Sequence, residues 1–237
     1  NNISFTYEKD KKNALIENID LTICRGQKIA IIGPTGSGKS TFLDLLLGMI
    51  APDSGEITMD QEALSKENLY SYRGNFSYVP QKIFFLEDTL QENIVFGSNQ
   101  ELDIDKLDRV IKNASLQELI DDLPNGLQTN VSDSNQMVSG GQKQCIGIAR
   151  ALYRGGDILI LDEATSGMDQ ALEKKIYQAA FDSEFNTFIS VTHKSSLLDK
   201  FDKIFVFNNG SIEAIGSYEE LKKTSNFFNS MVNQPTN

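Results

Sequence analysis

Short runs along the chain carry the alternating or unbroken apolar character of strands: 3–7, 19–23, 28–32, 56–59, 76–79, 157–161, 188–191, 204–207 and 211–215. The 28–32 run, Lys-Ile-Ala-Ile-Ile, is apolar after its first residue, as expected of a strand buried on both faces. A glycine-rich turn comes directly after it. Residues 39–49 then place Phe42, Leu45, Leu46 and Met49 at helical spacing, so the order is strand, glycine loop, helix. Phe42, Met49 and the leucines around them are expected in the core. Asn208-Asn209-Gly210 between the last two runs reads as a hairpin turn.

From about residue 89 to 152 the strand signal gives way to helical patterns, among them 104–114 and 116–123. That predicts a helical insert within an α/β protein. Asp133-Ser134-Asn135-Gln136 reads as a polar loop. The tail from Ser217, with Tyr218, Leu221, Phe227, Phe228 and Met231, predicts one or two surface helices.

Composition narrows the function classes. With 237 residues, 40% of them hydrophobic and 23% charged, the chain can bury a real core, as one large domain or two small ones. Its 22 Lys and Arg against 33 Asp and Glu give a net charge of -11, which argues against broad binding to nucleic acid or anionic lipid. The longest apolar stretch, 42–51, is broken by Asp44 and is too short to span a bilayer, and no secretion signal opens the chain. Cys24 and Cys145 form no metal-ligand pattern and suit a reducing, cytoplasmic setting. Beginning at Asn1-Asn2 without Met and running straight into a strand, the sequence is expected to be a piece of a longer polypeptide.

Three constellations carry chemistry. Gly33-Pro34-Thr35-Gly36-Ser37-Gly38-Lys39-Ser40, with Thr41 next, fits the phosphate-loop pattern G-x-x-x-x-G-K-[ST] in its expected context. Glycines let successive N–H groups turn toward anionic oxygens, and the helix start adds its positive dipole end. Lys39 can reach β- and γ-phosphates, and Ser40 can hold Mg²⁺. The run Ile158-Leu159-Ile160-Leu161 ends in Asp162 and Glu163. Beside a phosphate loop these would orient a Mg²⁺ shell (Asp162) and polarise an attacking water (Glu163), although strands ending in acids often mean only that the chain has reached solvent. His193, the sole histidine, comes after the next strand signal at a position suited to bonding a γ-phosphate.

Val138-Ser139-Gly140-Gly141-Gln142, ahead of Asp162, resembles the signature of ABC-type ATPases, and the resemblance covers nearly the whole chain. It implies an α/β P-loop NTPase, with a RecA-like mixed-sheet core and an antiparallel β part (1–81 and 153–237) and an inserted α-helical subdomain (about 82–152). By the same resemblance Tyr7 stacks on adenine and Gln81 touches Mg²⁺. Ser166-Gly167-Met168-Asp169 forms the D-loop, and Thr89 to Gly97 is similar to a segment of exporter-type members. The activity this resemblance implies is hydrolysis of ATP with Mg²⁺ at the cytoplasmic face of a membrane. Two copies would pair head to tail, each sandwiched nucleotide meeting one copy's phosphate loop, Asp162, Glu163 and His193 and the other's Ser139, Gly140, Gly141 and Gln142. A transmembrane domain on the same polypeptide is implied, and no nucleic-acid partner.

The pattern has departures: Val138 for the usual Leu, Gly167-Met168 for Ala-Leu, and Val131 to Met137 in place of a Gly- and Glu-containing stretch. The rival readings are a soluble ABC-type ATPase of DNA repair or translation, and a nucleotide-sensing module. The first needs coiled-coil inserts, tandem cassettes or basic arms, none of which the sequence carries.

Overall fold

The computed structural model describes residues 1–7, 15–98, 101–132 and 137–233. The elements run, in chain order, β1 (Ile3–Phe5), β2 (Ile16–Ile19), β3 (Lys28–Ile32), α1 (Lys39–Leu46), β4 (Thr58–Met59), β5 (Glu62–Ala63), α2 (Leu69–Gly74) and β6 (Phe76–Val79). Next come β7 (Asp88–Thr89), α3 (Leu90–Val95), α4 (Ile104–Asn113), α5 (Gln117–Asp122), β8 (Asn130–Val131), α6 (Gly140–Arg154), β9 (Ile158–Asp162) and α7 (Gln170–Phe181). The chain closes with β10 (Thr187–Val191), β11 (Lys203–Asn208), β12 (Ser211–Gly216), α8 (Tyr218–Thr224) and α9 (Asn226–Val232). It forms two compact units, one of Asn1–Phe76 with Asn186–Asn237 and one of Ser77–Phe185.

In the first unit four strands lie in the order β12-β11-β3-β10. β3 pairs in parallel with both β10 and β11, which is why Ile29, Ala30 and Ile31 are wholly buried and the run is continuously apolar. β12 adds an antiparallel edge through the Asn209-Gly210 turn, where φ is +45° and +79°, the left-handed pair a two-residue hairpin needs. The sheet is therefore mixed, as expected. α1 buries Phe42, Leu43 and Leu45, and Phe42 lies 5.2 Å from Phe207 of β11.

Two expectations fail here. Met49 is 53% exposed, because α1 ends at Leu46 and Gly48 takes a left-handed φ of +64°, so the helical periodicity stops before Met49. The strand expected at 19–23 lies at Ile16–Ile19 instead, where Ile16 and Ile19 are buried and β2 pairs with β1. Leu21 and Ile23 do alternate but belong to no strand.

In the second unit β9 neighbours β6, and α3 and α4 pack on α6. Thr89 caps α3 by accepting from the Glu92 N–H at 3.1 Å, and Asp103 caps α4 by accepting from Lys106 at 2.9 Å. α4 buries Leu107, Val110 and Ile111, the spacing that marks it as a helix. The polar stretch 133–136 lies outside the described residues. Among the described residues no helix is long and apolar enough to cross a membrane.

Candidate functional site

The phosphate-loop segment leaves β3 in the first unit. Gly33 has no room for a side chain: a Cβ there would stand 2.5 Å from the Phe207 carbonyl oxygen. Gly36 and Gly38 take φ of +79° and +100°, which wind the loop into the start of α1. The hairpin turn braces the loop, with the Gly210 N–H donating to the Ser37 carbonyl at 3.0 Å. Inside it Lys39, 6% exposed, donates from its ammonium to the carbonyls of Gly33 at 2.8 Å and Pro34 at 2.9 Å. The first N–H groups of α1 precede any intrahelical acceptor, so the loop and helix start form a cationic cradle suited to a polyphosphate. The Ser37 hydroxyl is buried with no hydrogen-bond partner among the described residues, an orphaned polar atom within the same loop. Pro34, Thr35, Gly36 and Ser40 are exposed on its rim, and Thr41 is buried behind it.

His193 leaves the same sheet edge. Val191 pairs with Ile31, and the Thr192 N–H donates to the Ile31 carbonyl at 3.1 Å, so His193 and Gly33 emerge beside each other from adjacent parallel strands. Tyr7 lies just past β1, 60% exposed, with its ring edge-on to Phe5 at 4.9 Å. Its hydroxyl donates to Asp44 of α1; burial pushes the Asp44 carboxyl above the ordinary carboxylate range, and this hydrogen bond pulls the other way.

The second unit holds the acid pair. Asp162 is buried at the end of β9 and accepts from the Tyr78 hydroxyl of β6 at 3.0 Å. Glu163 adopts a left-handed φ of +49°, a strained conformation for a side-chain-bearing residue, and its Oε2 accepts from Gln81 Nε2 at 2.8 Å. Strain of this kind persists only where surrounding contacts hold it.

The same unit contains the start of α6. Ser139 caps it in a reciprocal box: its hydroxyl accepts from the Gln142 N–H at 3.3 Å, and Gln142 Oε1 accepts from the Ser139 N–H at 2.8 Å. Behind it Cys145, Ile148, Ala149 and Leu152 are buried, as their spacing predicts. Burial also pushes the Cys145 thiol up to about 11. Asp169 caps α7, accepting from the N–H groups of Ala171 at 2.8 Å and Leu172 at 2.9 Å; these bonds, the Leu172 one foremost, hold its carboxyl below the usual range.

Residues 16–166 match the sequence profile of the family described as "ABC transporter". The chain belongs to the ABC transporter family. A protein of Ralstonia nicotianae named "ATP-dependent lipid A-core flippase" is 36% identical over 223 residues, 92% of this chain and 37% of that protein. The Candida albicans "Iron-sulfur clusters transporter ATM1, mitochondrial" is 39% identical over 224 residues, 93% of this chain and 29% of that protein. A solved structure described as a bacterial Atm1-family ABC exporter with ATP bound superposes with a TM-score of 0.91 at 30% identity, covering 97% of this chain and 40% of that one. The chain thus spans less than half the length of the ABC transporters it matches, and its fold is that of their P-loop ATPase domain.

Within this ABC domain, the first unit gathers Tyr7, the loop 33–41 and His193. The second gathers Gln81, Asp162 and Glu163, with Ser139, Gly140, Gly141 and Gln142 at the head of α6. Tyr78 has no signal of its own in the sequence, since its role depends on β6 lying beside β9. Sequence reasoning also misses a surface on the second unit where the Arg150 guanidinium lies 5.4 Å from the Phe84 ring and 5.5 Å from the Phe96 ring. Those residues are 54% and 42% exposed. Arg150 is fixed by the Asn93 carbonyl at 2.8 Å and the Phe84 carbonyl at 3.2 Å. The two phenylalanines, set in a mostly helical pattern, are the one trace of this surface in the sequence.

Proposed function

We propose that this chain is the ATPase unit of an exporter-type ABC transporter, hydrolysing MgATP to ADP and phosphate at the cytoplasmic face of a membrane to drive substrate through a transmembrane domain on the same polypeptide. The observation that carries the reading is the buried Lys39 ammonium folded into the glycine loop at the N-terminus of α1, a site built for phosphate oxygens. Relatives named as a flippase and as transporters favour export over a role in DNA repair or translation.

In this reading the N–H groups of the loop from Gly33 to Thr41, those of Thr35, Gly36, Ser37 and Gly38 among them, cradle the phosphates with Lys39, and Tyr7 stacks on adenine. Ser40, Asp162 and the Gln81 amide oxygen, all hard oxygen donors, fit Mg²⁺, which when bound neutralises charge on the β- and γ-phosphates. Gln81 can serve this because its nitrogen is the atom that engages Glu163. Glu163 accepts the proton of the attacking water as the bond between the γ-phosphorus and the ADP oxygen breaks. His193 donates a hydrogen bond to the γ-phosphate, and its exit beside Gly33 supports that role. Catalysis rests mainly on positioning and charge stabilisation.

A second copy, head to tail, would present Ser139, Gly140, Gly141 and Gln142 to the same γ-phosphate: the capping box uses the Ser139 oxygen as acceptor, so its proton can be donated. Asp169 would act across that interface from its place at the head of α7. Functionally the chain would divide into a nucleotide core of 1–81 and 153–237 and a helical part of about 82–152. The exposed Phe84 and Phe96 beside Arg150 are the kind of aromatic surface a partner covers, here the transmembrane domain.

The test is nucleotide binding and phosphate release by the parent and by Lys39→Ala. The parent should release phosphate from MgATP, and Lys39→Ala should bind ATP at least about tenfold more weakly. A parent that binds MgATP but never turns it over would leave only a nucleotide sensor.

A further inference from the structure

The turn that carries Glu163 is held from α6. After the acid pair the chain folds into linked turns: the Ser166 N–H donates to the Glu163 carbonyl at 3.1 Å, and the Met168 N–H to the Thr165 carbonyl at 3.1 Å. The Thr165 hydroxyl donates to the buried Glu173 carboxylate of α7 at 2.8 Å, anchoring the far end. The near end is gripped by one side chain. Gln144 of α6, 9% exposed, donates from Nε2 to the Ser166 hydroxyl at 3.4 Å and accepts the Gly167 N–H on Oε1 at 3.2 Å.

Two features surround this grip. Gly167 admits the amide closely, since a Cβ there would lie 3.3 Å from Gln144 Oε1. The turn also has space to move into: a cavity of about 620 Å³ is lined by Gln81, Gly141, Lys143, Gln144, Ser166 and Gly167, among others. Gly141 of α6 also stands close, a Cβ there lying 3.4 Å from the Gly167 carbonyl oxygen, but among the described residues the hydrogen bonds from α6 to residues 166–167 are those of Gln144. One turn further along α6, Ile83 packs into the notch at Gly147, where a Cβ would meet the Ile83 side chain at 2.4 Å. The helix that begins just after Ser139 therefore frames both the segment bearing Gln81 and the turn bearing Glu163.

We propose that Gln144 is a positioning residue for Glu163, tying the 166–167 backbone to α6 and, through the bond from the Ser166 N–H to the Glu163 carbonyl, holding the Glu163 backbone in its left-handed conformation, from which its carboxylate projects. The inference rests on the reading of Glu163 as the group that takes the water's proton. It also gives α6 a way to act on hydrolysis in its own chain: a shift at Ser139 is felt by Glu163 through Gln144.

The test uses the full-length protein containing this chain. Gln144→Met keeps the side chain's bulk and removes both hydrogen bonds. It should lower kcat about tenfold and leave KM for ATP within about twofold, because the lost interaction serves the transition state rather than binding, and lower the thermal midpoint modestly, because the Gly167 N–H loses its partner. Ser166→Ala removes one of the two bonds and should lower kcat by about threefold, with no further loss when added to Gln144→Met. If Gln144→Met fails to fold, Gly167→Ala, which forces the amide back by a few tenths of an ångström, should lower kcat with KM unchanged. Parent kinetics in Gln144→Met, equal losses in kcat and affinity, or additive effects of the two substitutions overturn the inference. A parent without ATPase activity overturns the reading of Glu163 itself, and an active parent indifferent to Gln144 overturns only the positioning role.

Discussion

In the proposed reading Glu163 is the residue on which the chemistry turns, and its backbone is as informative as its carboxylate. A glutamate at φ +49° is held there against its preference, by Gln81 on the side chain and by the Ser166 N–H on the carbonyl. The two acids are legible in the sequence because they end an apolar strand; the strain and the Gln81 contact are not, since both depend on tertiary pairing. Tyr78 is hidden for the same reason. Asp44 is a second residue whose character comes from its neighbours. It lies among the apolar positions of α1, and burial pushes its carboxyl up despite the Tyr7 hydroxyl. A raised folded-state value means the folded protein holds the proton more tightly. Stability therefore falls as pH rises from the unfolded value of 3.8 through the folded one, and stays reduced at neutral pH. Asp44→Asn, which can still accept from Tyr7, should melt at a higher temperature than the parent at pH 7, and the difference should shrink below about pH 4; a series of melts across pH checks it.

Among the elements, those with local punctuation are readable from residue order alone. The β11–β12 hairpin turns on its Asn-Gly step and α4 lies within the helical run 104–114, as their patterns predict, while the Ser139 box and the Asp103 cap mark where α6 and α4 begin. Elements that depend on a partner are not: β2 sits where Ile16 and Ile19 meet β1, although the cleaner alternation lies three residues later. The hairpin turn does more than join two strands, because the Gly210 N–H holds the Ser37 carbonyl of the phosphate loop. Gly210 has φ +79°, and a Cβ there would stand 2.2 Å from the Leu15 carbonyl oxygen. Gly210→Ala should cost about 1–3 kcal/mol in urea unfolding and weaken ATP binding with it, since the loop loses its brace. Unchanged affinity in a folded Gly210→Ala protein would mean the loop keeps its shape unaided.

At the scale of the whole molecule, the family is legible in the order of its motifs: a phosphate loop, a helical middle with Ser139-Gly140-Gly141, an acid pair and one histidine. The profile match over residues 16–166 and the exporter superposition bear the family out. The net charge of -11 argues against nucleic acid but holds no hint of the Phe84, Phe96 and Arg150 surface, which exists only once α3 and α6 pack together. The proposed ATPase role rests on one chemical claim, that Glu163 takes the proton of the attacking water. Phosphate release from saturating MgATP by Glu163→Gln, beside the parent, tests it most directly. The account predicts ATP binding at the parent's affinity, hydrolysis at least about 100-fold slower, and a nucleotide-loaded dimer by size exclusion. Hydrolysis by Glu163→Gln at the parent's rate would contradict it.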